Sequence, residues 1–331
     1  MPLAAVWMVF IVSAAYGETA VRDSAALEIA QHVWFNQYDK ALSKAENIIV
    51  TEPDNPLGYF LKGSIYQTIS EEYRNDKFAD EIDDLLSRAI KIAKKRKRTD
   101  KDNPDWYFII GSSYGYRALI RAFHGGWFSA FKDGLKCSSN LEDALELDST
   151  IYDAWLGLGA YHFYKTIKAK DFLWLPFVSD RREQGINEIV IATQNGLLAW
   201  YNARESLVRI YYIEKRYDDL LKLVDSLNAI NPDDPYCLLY HAQGLIKMGH
   251  LDDAGEKIRI LRKVWRQSPY YDAVGQYEAE LVMAQLFIAE GDTESARKVL
   301  DQIIDGKDLR ELNAYFAETY DKAKDLSKLC R

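Results

Sequence analysis

Histidine and cysteine are the residue types best able to build a metal site or an activated nucleophile, and this sequence holds five of the first and three of the second. No two histidines have the spacing that places a pair of ligands on one helix face, and no Cys-x-x-Cys pair occurs. We therefore predict no metal, no cofactor and no catalytic residue, although the fold could still bring distant residues together into an enzyme site. The residues concerned are His32, His124, His162, His241, His250, Cys137, Cys237 and Cys330.

The three cysteines are widely separated in the sequence, which gives no disulfide framework. We interpret them as small apolar side chains inside the fold or at the terminus. A bridge between Cys137 and Cys237 is the alternative in an oxidising compartment.

The charge of the chain limits the kinds of partner that it can bind. Its formal net charge is -8 and its pI is about 5.3. Phosphate backbones need a positive surface, so we predict no binding to nucleic acid. Residues 94–98 form a run of five cations, but a helix C-terminus favours cations there because they complement its dipole. We therefore interpret this run as a solvated helix end.

A short pattern of an aromatic residue and a glycine occurs three times at a constant interval, as in a repeat protein. In each copy the aromatic residue precedes the glycine by four positions, so both lie on one face of a helix. A neighbouring helix can then approach the bare backbone closely while the ring fills the space beside it. The three copies are Tyr59 and Gly63, Tyr107 and Gly111, and Trp155 and Gly159. Two copies follow an Asp-Asn-Pro turn, and proline is well suited to the first turn of a helix.

The second half of the chain has a tighter period that resembles the tetratricopeptide repeat (TPR) family, whose helix-turn-helix unit is about 34 residues long. Units are predicted to begin at Tyr201, Pro235 and Tyr277. The matching positions are Leu207, Tyr211 and Pro232 in the first unit, Ala242, Gly249 and Ala254 in the second, and Ala284, Phe287, Gly291 and Ala296 in the third.

The resemblance implies an all-α fold, a right-handed superhelix (α-solenoid) of antiparallel helix pairs in which each unit contacts chiefly its neighbours. We expect one helical repeat domain over residues 18–331. It has extended repeats over about 22–200, regular repeats of about 34 to about 42 residues over about 201–305, and capping helices over 309–331.

The TPR resemblance also implies a concave groove that binds a protein or peptide, so a non-catalytic scaffold is the predicted function. The alternative is a cavity that binds a small apolar ligand or assists envelope assembly or transport. The sequence does not indicate the partner or the oligomeric state. The groove residues implied by the resemblance are Phe60, Phe108, Tyr116, Leu156, Phe163, Tyr164, Arg209, Tyr212, Tyr236 and Leu239.

Residues 1–17 are predicted to be a secretory signal peptide, because an apolar run is followed by small residues at the two positions that a signal peptidase reads. The run lacks the usual preceding cation, so a cytoplasmic chain is the alternative. With cleavage before Glu18, the mature protein would be periplasmic or associated with the envelope.

Residues 172–177 are almost entirely apolar and are interrupted by Pro176, so they do not form an amphipathic helix face. They either fold back over the ends of the helices or serve as an anchor for a partner or a membrane surface. In the second case Phe172, Trp174 and Phe177 are the anchor residues, and the protein associates peripherally with an envelope membrane.

Overall fold

The computed structural model describes residues 24–169 and 179–330, and all regular secondary structure in those ranges is helical. The all-α prediction is therefore confirmed for the described part of the chain. The α-helices are α1 (Ser24–Trp34), α2 (Tyr38–Thr51), α3 (Pro56–Tyr73), α4 (Ala79–Thr99), α5 (Pro104–Phe123), α6 (Trp127–Leu147), α7 (Ala154–Lys168), α8 (Arg182–Asn195), α9 (Trp200–Ile213), α10 (Tyr217–Asn228), α11 (Pro235–Met248), α12 (Leu251–Gln267), α13 (Gln276–Glu290), α14 (Thr293–Asp305) and α15 (Ala314–Ser327).

The helices pack in sequential pairs, with odd-numbered helices as the first and even-numbered helices as the second member. Each helix from α1 to α15 contacts the next helix along the chain. Short turns join most of them, so neighbouring helices run antiparallel. This succession of pairs is the all-α solenoid that the TPR resemblance implies, and α15 follows the last pair as a single closing helix.

The two Asp-Asn-Pro turns begin helices as predicted. Pro56 and Pro104 are the first residues of α3 and α5, and the preceding asparagines cap them. The Asn55 side chain accepts a hydrogen bond from the backbone N–H of Leu57 at 3.0 Å, and Asn103 caps α5 in the same way. Proline at the first helical position costs no hydrogen bond, because the N–H it lacks would have no partner inside the helix.

The repeated glycines lie where helices approach each other, which confirms their predicted role. A Cβ added at Gly63 would lie 2.9 Å from a methyl carbon of Leu86 on α4, and one added at Gly111 would lie 2.8 Å from Leu141 on α6. At Gly159 it would lie 2.5 Å from the backbone carbonyl oxygen of Gly185, so α7 and α8 touch through their backbones.

The chain curls so far that its first helices contact its last ones, and we call this contact region the seam. The Trp265 indole N–H donates to the carbonyl of Glu72 at 2.9 Å, and the Asn75 side chain donates to the carbonyl of Tyr270 at 3.1 Å. Asn231 donates to the carbonyl of Trp34 at 3.0 Å. The solenoid is therefore closed on itself, and the seam adds contacts between distant units to the expected contacts between sequence neighbours.

Helix α11 shows the effect of this closure. Every residue from Pro235 to Ile246 is buried, because α3 packs against α11 on the side that an open solenoid would leave free. The main core accordingly combines residues from both ends of the chain, such as Ile29 and Leu239. A helix buried on all faces belongs to the interior of a fold rather than to the wall of a groove.

Among the residues that the structure describes, no helix combines the length and the apolar composition needed to cross a bilayer.

Candidate functional site

The first helices of successive pairs turn aromatic and charged side chains toward one another, and we call this concave surface the inner face. Tyr116 on α5 is partly accessible there, and its ring lies 6.2 Å from the buried ring of Phe60 on α3, measured between centroids. Phe123 on α5 lies 4.7 Å from Tyr315 on α15. Side chains that are far apart in the sequence therefore line one shared space.

Arg209 is the charged residue that best characterises the inner face. Its guanidinium lies 5.9 Å from the ring centroids of both Phe123 and Tyr164, and its side chain is half-buried. Within the described residues it makes no ion pair and no hydrogen bond. The carboxylate of Glu71 on α3 acts on it electrostatically, from beyond ion-pair distance. The inner face thus presents a positive charge whose contacts are aromatic rings.

Five of the ten predicted groove residues remain partly accessible. They are Tyr116, Leu156, Tyr164, Arg209 and Tyr212. Burial raises the pKa of the Tyr212 phenol to about 12, and it raises the pKa of Tyr164 as well. Neither hydroxyl makes a hydrogen bond within the described part of the chain.

The other five predicted groove residues are buried, so a partner on the present surface would not touch them. Leu239 lies in the core that α3 and α11 share, Tyr236 packs against residues of α9 and α10, and Phe163 is enclosed between α7, α8 and α9. Phe60 and Phe108 face each other at 6.1 Å inside the core. The family geometry describes an open groove, whereas here closure at the seam buries Leu239 and the packing of neighbouring helix pairs buries the other four positions.

Several inner-face residues escaped sequence analysis because non-local contacts bring them there. Arg74 ends α3 in the left-handed conformation, with a φ of 53°. Its guanidinium lies 5.6 Å from the ring centroid of Tyr315, and its Nε has no hydrogen-bond partner among the described residues. Tyr240 on the buried helix α11 lies behind this face, with its ring 5.7 Å from that of Tyr212. The only sequence signal for these residues is the high tyrosine content.

Three buried carboxyl groups lie near the seam. Burial, together with the charge of Asp234, raises the pKa of Glu72 well above its usual value. Burial and the neighbouring Asp234 and Glu72 raise the pKa of Glu205 in the same direction. The phenol of Tyr38 donates a hydrogen bond to Glu72, and that of Tyr201 donates to Asp234 at 2.6 Å. The first hydrogen bond joins α2 to α3, and the second joins α9 to the start of α11.

The residues that opened the sequence analysis lie apart from one another. The described residues contain no group of three histidine, cysteine or acidic side chains that could hold a metal ion. His162 is buried and lies 2.7 Å from a carboxylate oxygen of Glu188. Each cysteine is a buried free thiol. The letters Gly-x-Ser-x-Gly do occur at residues 111–115, but Ser113 is buried in the middle of α5 and is not at an exposed strand-to-helix turn.

The concavities of the described surface differ from the apolar cavity considered above. A groove of about 770 Å³ lies between α2, α3 and α4, and charged side chains such as Lys62, Glu81 and Arg88 line it. A second hollow beside Phe123 and Tyr315 holds about 10 Å³, the space of a single water molecule.

Two predicted segments lie outside the described residues. These are the signal peptide over residues 1–17 and the apolar anchor of Phe172, Trp174 and Phe177.

The sequential helix pairs, the prolines at helix starts and the glycines at helix contacts define an all-α, TPR-like helical-repeat protein. No protein-family model matches the chain, and no curated protein matches its sequence.

Solved structures of TPR proteins resemble the chain at low sequence identity. A thermophilic TPR protein from Thermus thermophilus is 15% identical, with a TM-score of 0.43 over 66% of this chain and 97% of that one. A tetratricopeptide repeat protein from Parabacteroides merdae is 15% identical, with a TM-score of 0.41 over 93% and 99% of the two chains. The human IFIT1 dimer with PPP-AAAA is 14% identical, with a TM-score of 0.45 over 87% and 64%. Similarity at this level indicates nothing about a partner.

Proposed function

We propose that the protein is a non-catalytic scaffold that binds an extended protein or peptide segment on its inner face. The observation that carries the proposal is Arg209, a half-buried guanidinium with no ion pair in the described chain, placed between the rings of Phe123 and Tyr164. Arginine and tyrosine are enriched among the residues that dominate the free energy of protein interfaces.

The tyrosine hydroxyls support the same class of partner. Those of Tyr116, Tyr164 and Tyr212 have no hydrogen-bond partner within the described residues, although their rings are packed. A peptide backbone offers donors and acceptors at regular intervals, and packed rings present hydroxyls to it with little loss of conformational entropy. The partly accessible positions therefore suit an extended segment, with apolar side chains placed against the rings.

Selection of a peptide on the intact protein tests this proposal. Random dodecapeptides displayed on phage would be selected on the full chain, and the dissociation constant of the best peptide measured by fluorescence anisotropy. We expect Arg209→Ala to weaken binding at least tenfold. Arg259→Ala is the matched control, because Arg259 lies on α12, is 68% exposed and is paired with Glu256. We expect it to leave the affinity unchanged.

Hydrogen exchange gives the second readout. A bound peptide should protect backbone amides of α7 and α9, the helices that carry Tyr164 and Arg209. The proposal fails if no peptide is selected, or if the selected peptide binds Arg209→Ala as tightly as the unchanged protein while both melt at the same temperature.

We also propose that the protein is exported. The signal-like composition of residues 1–17 supports a periplasmic or envelope address, with the cytoplasm as the alternative. N-terminal sequencing of the protein purified from its native cells tests it. We expect Glu18 as the first residue, and an intact N-terminus would place the protein in the cytoplasmic alternative.

A further inference from the structure

Helix α6 begins with a contiguous apolar surface that no described element covers. Trp127, Phe128, Phe131 and Leu135 expose 51%, 72%, 50% and 44% of their surfaces. Trp127, Phe131 and Leu135 follow one another at intervals of four residues, which places them along one side of the helix. The other exposed large apolar residues of the described chain are scattered among several elements. A contiguous apolar surface of this kind marks an interaction site.

Lysine side chains surround these apolar residues, and we call the combined surface the α6 face. The Lys132 amine lies 4.3 Å from the ring centroid of Phe128, and the Lys168 amine lies 3.6 Å from that of Trp127. Lys165, one turn before Lys168 on α7, is also exposed. The face is therefore both apolar and cationic, although the whole chain carries a net charge of -8.

Asp133, the acidic residue between Trp127 and Leu135, does not cancel the positive charge of the nearby lysines. The side chain of Asp133 is 3% exposed and points to the opposite side of α6. There it forms an ion pair with Arg121 at 2.7 Å and lies 3.4 Å from Arg117 and 3.8 Å from the amine of Lys136. Lys132 and Lys165 are exposed to solvent, while the carboxylate of Asp133 is engaged by other cations inside.

A second copy of the chain does not suit the α6 face. A twofold interface places the same patch of both copies opposite each other, so the lysines of one copy would meet the lysines of the other. An anionic surface does fit. Helices that lie on membranes combine aromatic and aliphatic side chains on one face with lysines around them, and the lysines attract anionic lipid headgroups.

We propose that the α6 face binds an anionic lipid bilayer peripherally. Phe128 and Phe131 enter the boundary between headgroups and acyl chains, Trp127 lies at headgroup level, and the lysines contact lipid phosphates. The positive φ of 76° at Gly125 forms the tight turn that starts α6 directly after α5 and presents its first residues at the surface. This surface is separate from the inner face, so the proposal does not depend on the one above.

Co-sedimentation of the full chain with vesicles tests the proposal. We expect binding to vesicles of phosphatidylcholine and phosphatidylglycerol at a ratio of about 7:3, at least tenfold weaker binding to pure phosphatidylcholine, and loss of binding in about 0.5 M salt because salt screens the lysines. The double change Phe128→Ser and Phe131→Ser should weaken binding at least tenfold. Because both side chains are exposed, the melting temperature should stay unchanged.

Two control variants distinguish binding through the α6 face from nonspecific binding to the vesicles. Leu312→Ser with Leu329→Ser removes two equally exposed apolar residues at the end of the chain. Lys95→Glu with Arg98→Glu removes exposed cations from the basic run on α4. We expect both variants to bind like the unchanged protein.

Three results would overturn the proposal. The first is no binding to the anionic vesicles, and the second is undiminished binding of the Phe128→Ser, Phe131→Ser protein. The third is a dimer, seen by sedimentation velocity without lipid, that the same double variant converts to a monomer, since the α6 face would then belong to a second copy of the chain.

Discussion

The contact between α7 and α8 predicts that Gly159→Ala destabilises the protein. The added Cβ would lie 2.5 Å from the carbonyl oxygen of Gly185, 2.6 Å from Cγ1 of Ile189 and 3.0 Å from the Ile189 nitrogen. Two of these three atoms belong to the backbone of α8 and cannot move as a side-chain rotamer does. The two helices must therefore separate to admit one methyl group.

The expected magnitude follows from two opposing terms. Overpacking a tight contact costs roughly 1 to 3 kcal/mol, and the backbone contact at Gly159 places this case near the upper end. Alanine gains about 1 kcal/mol over glycine in helix propensity. The net loss is about 2 kcal/mol, which for a chain of this size lowers the melting temperature by roughly 3 °C.

Gly255→Ala is the matched control for Gly159→Ala. Gly255 lies within α12, and a Cβ there would meet only Leu286 at 3.6 Å, an ordinary contact distance. The propensity gain is then unopposed, so the melting temperature should stay constant or rise.

Thermal unfolding followed by far-ultraviolet circular dichroism measures both variants. Gly185→Ala adds the reciprocal test, because its Cβ would lie 2.5 Å from the Gly159 carbonyl oxygen. The double variant should lose less than the sum of the two single losses, since one separation of the helices serves both methyl groups. If Gly159→Ala and Gly255→Ala both melt at or above the unchanged protein, α7 and α8 are not in backbone contact and the repeat register is wrong.

Three further predictions concern the seam and the core. Burial raises the pKa of Glu72, so its carboxyl holds a proton up to a higher pH in the folded state than in the unfolded state. Stability is therefore greatest near and below the unfolded pKa of about 4.3 and falls by up to about 1.4 kcal/mol per pH unit as pH rises toward the folded pKa. Melting temperatures from pH 5 to 8 should show this decline, with a shallower slope for Glu72→Gln; an equal slope would remove Glu72 as its source. Asn231→Ala loses hydrogen bonds to the Trp34 carbonyl and to the Asn36 side chain, each 3.0 Å long, which should cost about 1 to 3 kcal/mol of stability. Hydrogen exchange should then rise in α1 and stay unchanged in α14. If exchange changes equally in both helices, the seam does not hold α1 in place. Burial raises the pKa of Cys137 to about 12, so iodoacetamide should label this thiol at pH 8 only after the protein unfolds. Mass spectrometry measures the labelling, and labelling of the folded protein would contradict the packed position of Cys137.

The local features of the fold could be predicted from the sequence, because they depend on residues close together in the chain. Pro56 and Pro104 start helices through their fixed φ, whatever the rest of the molecule does. The glycine period indicated helix contacts because a missing side chain has a steric consequence in any helix pair. The TPR resemblance likewise reports a local unit, a pair of helices and its turn.

The seam could not be predicted from the sequence, because it depends on the sum of small rotations between successive helix pairs. Such rotations depend on how every pair packs, and no single residue encodes them. Some of the ten predicted groove residues are therefore accessible, and others are buried. Arg209 and Tyr212 remain accessible, whereas Leu239 is buried in the core that α11 shares with α3, which is distant in sequence. Arg74 and Tyr315 lie on the inner face only because α15 closes against the end of α3.

The seam also has a consequence for the order of events during synthesis. Its hydrogen bonds join residues from opposite ends of the chain, such as Asn231 with Trp34 and Asn313 with Arg74. Early helix pairs can form as they leave the ribosome, but the side of α3 that faces α11 stays uncovered until α11 has been made. Contacts of such long sequence separation form late and slow the final folding step. During that interval the apolar side of α3 is a surface that a chaperone can bind.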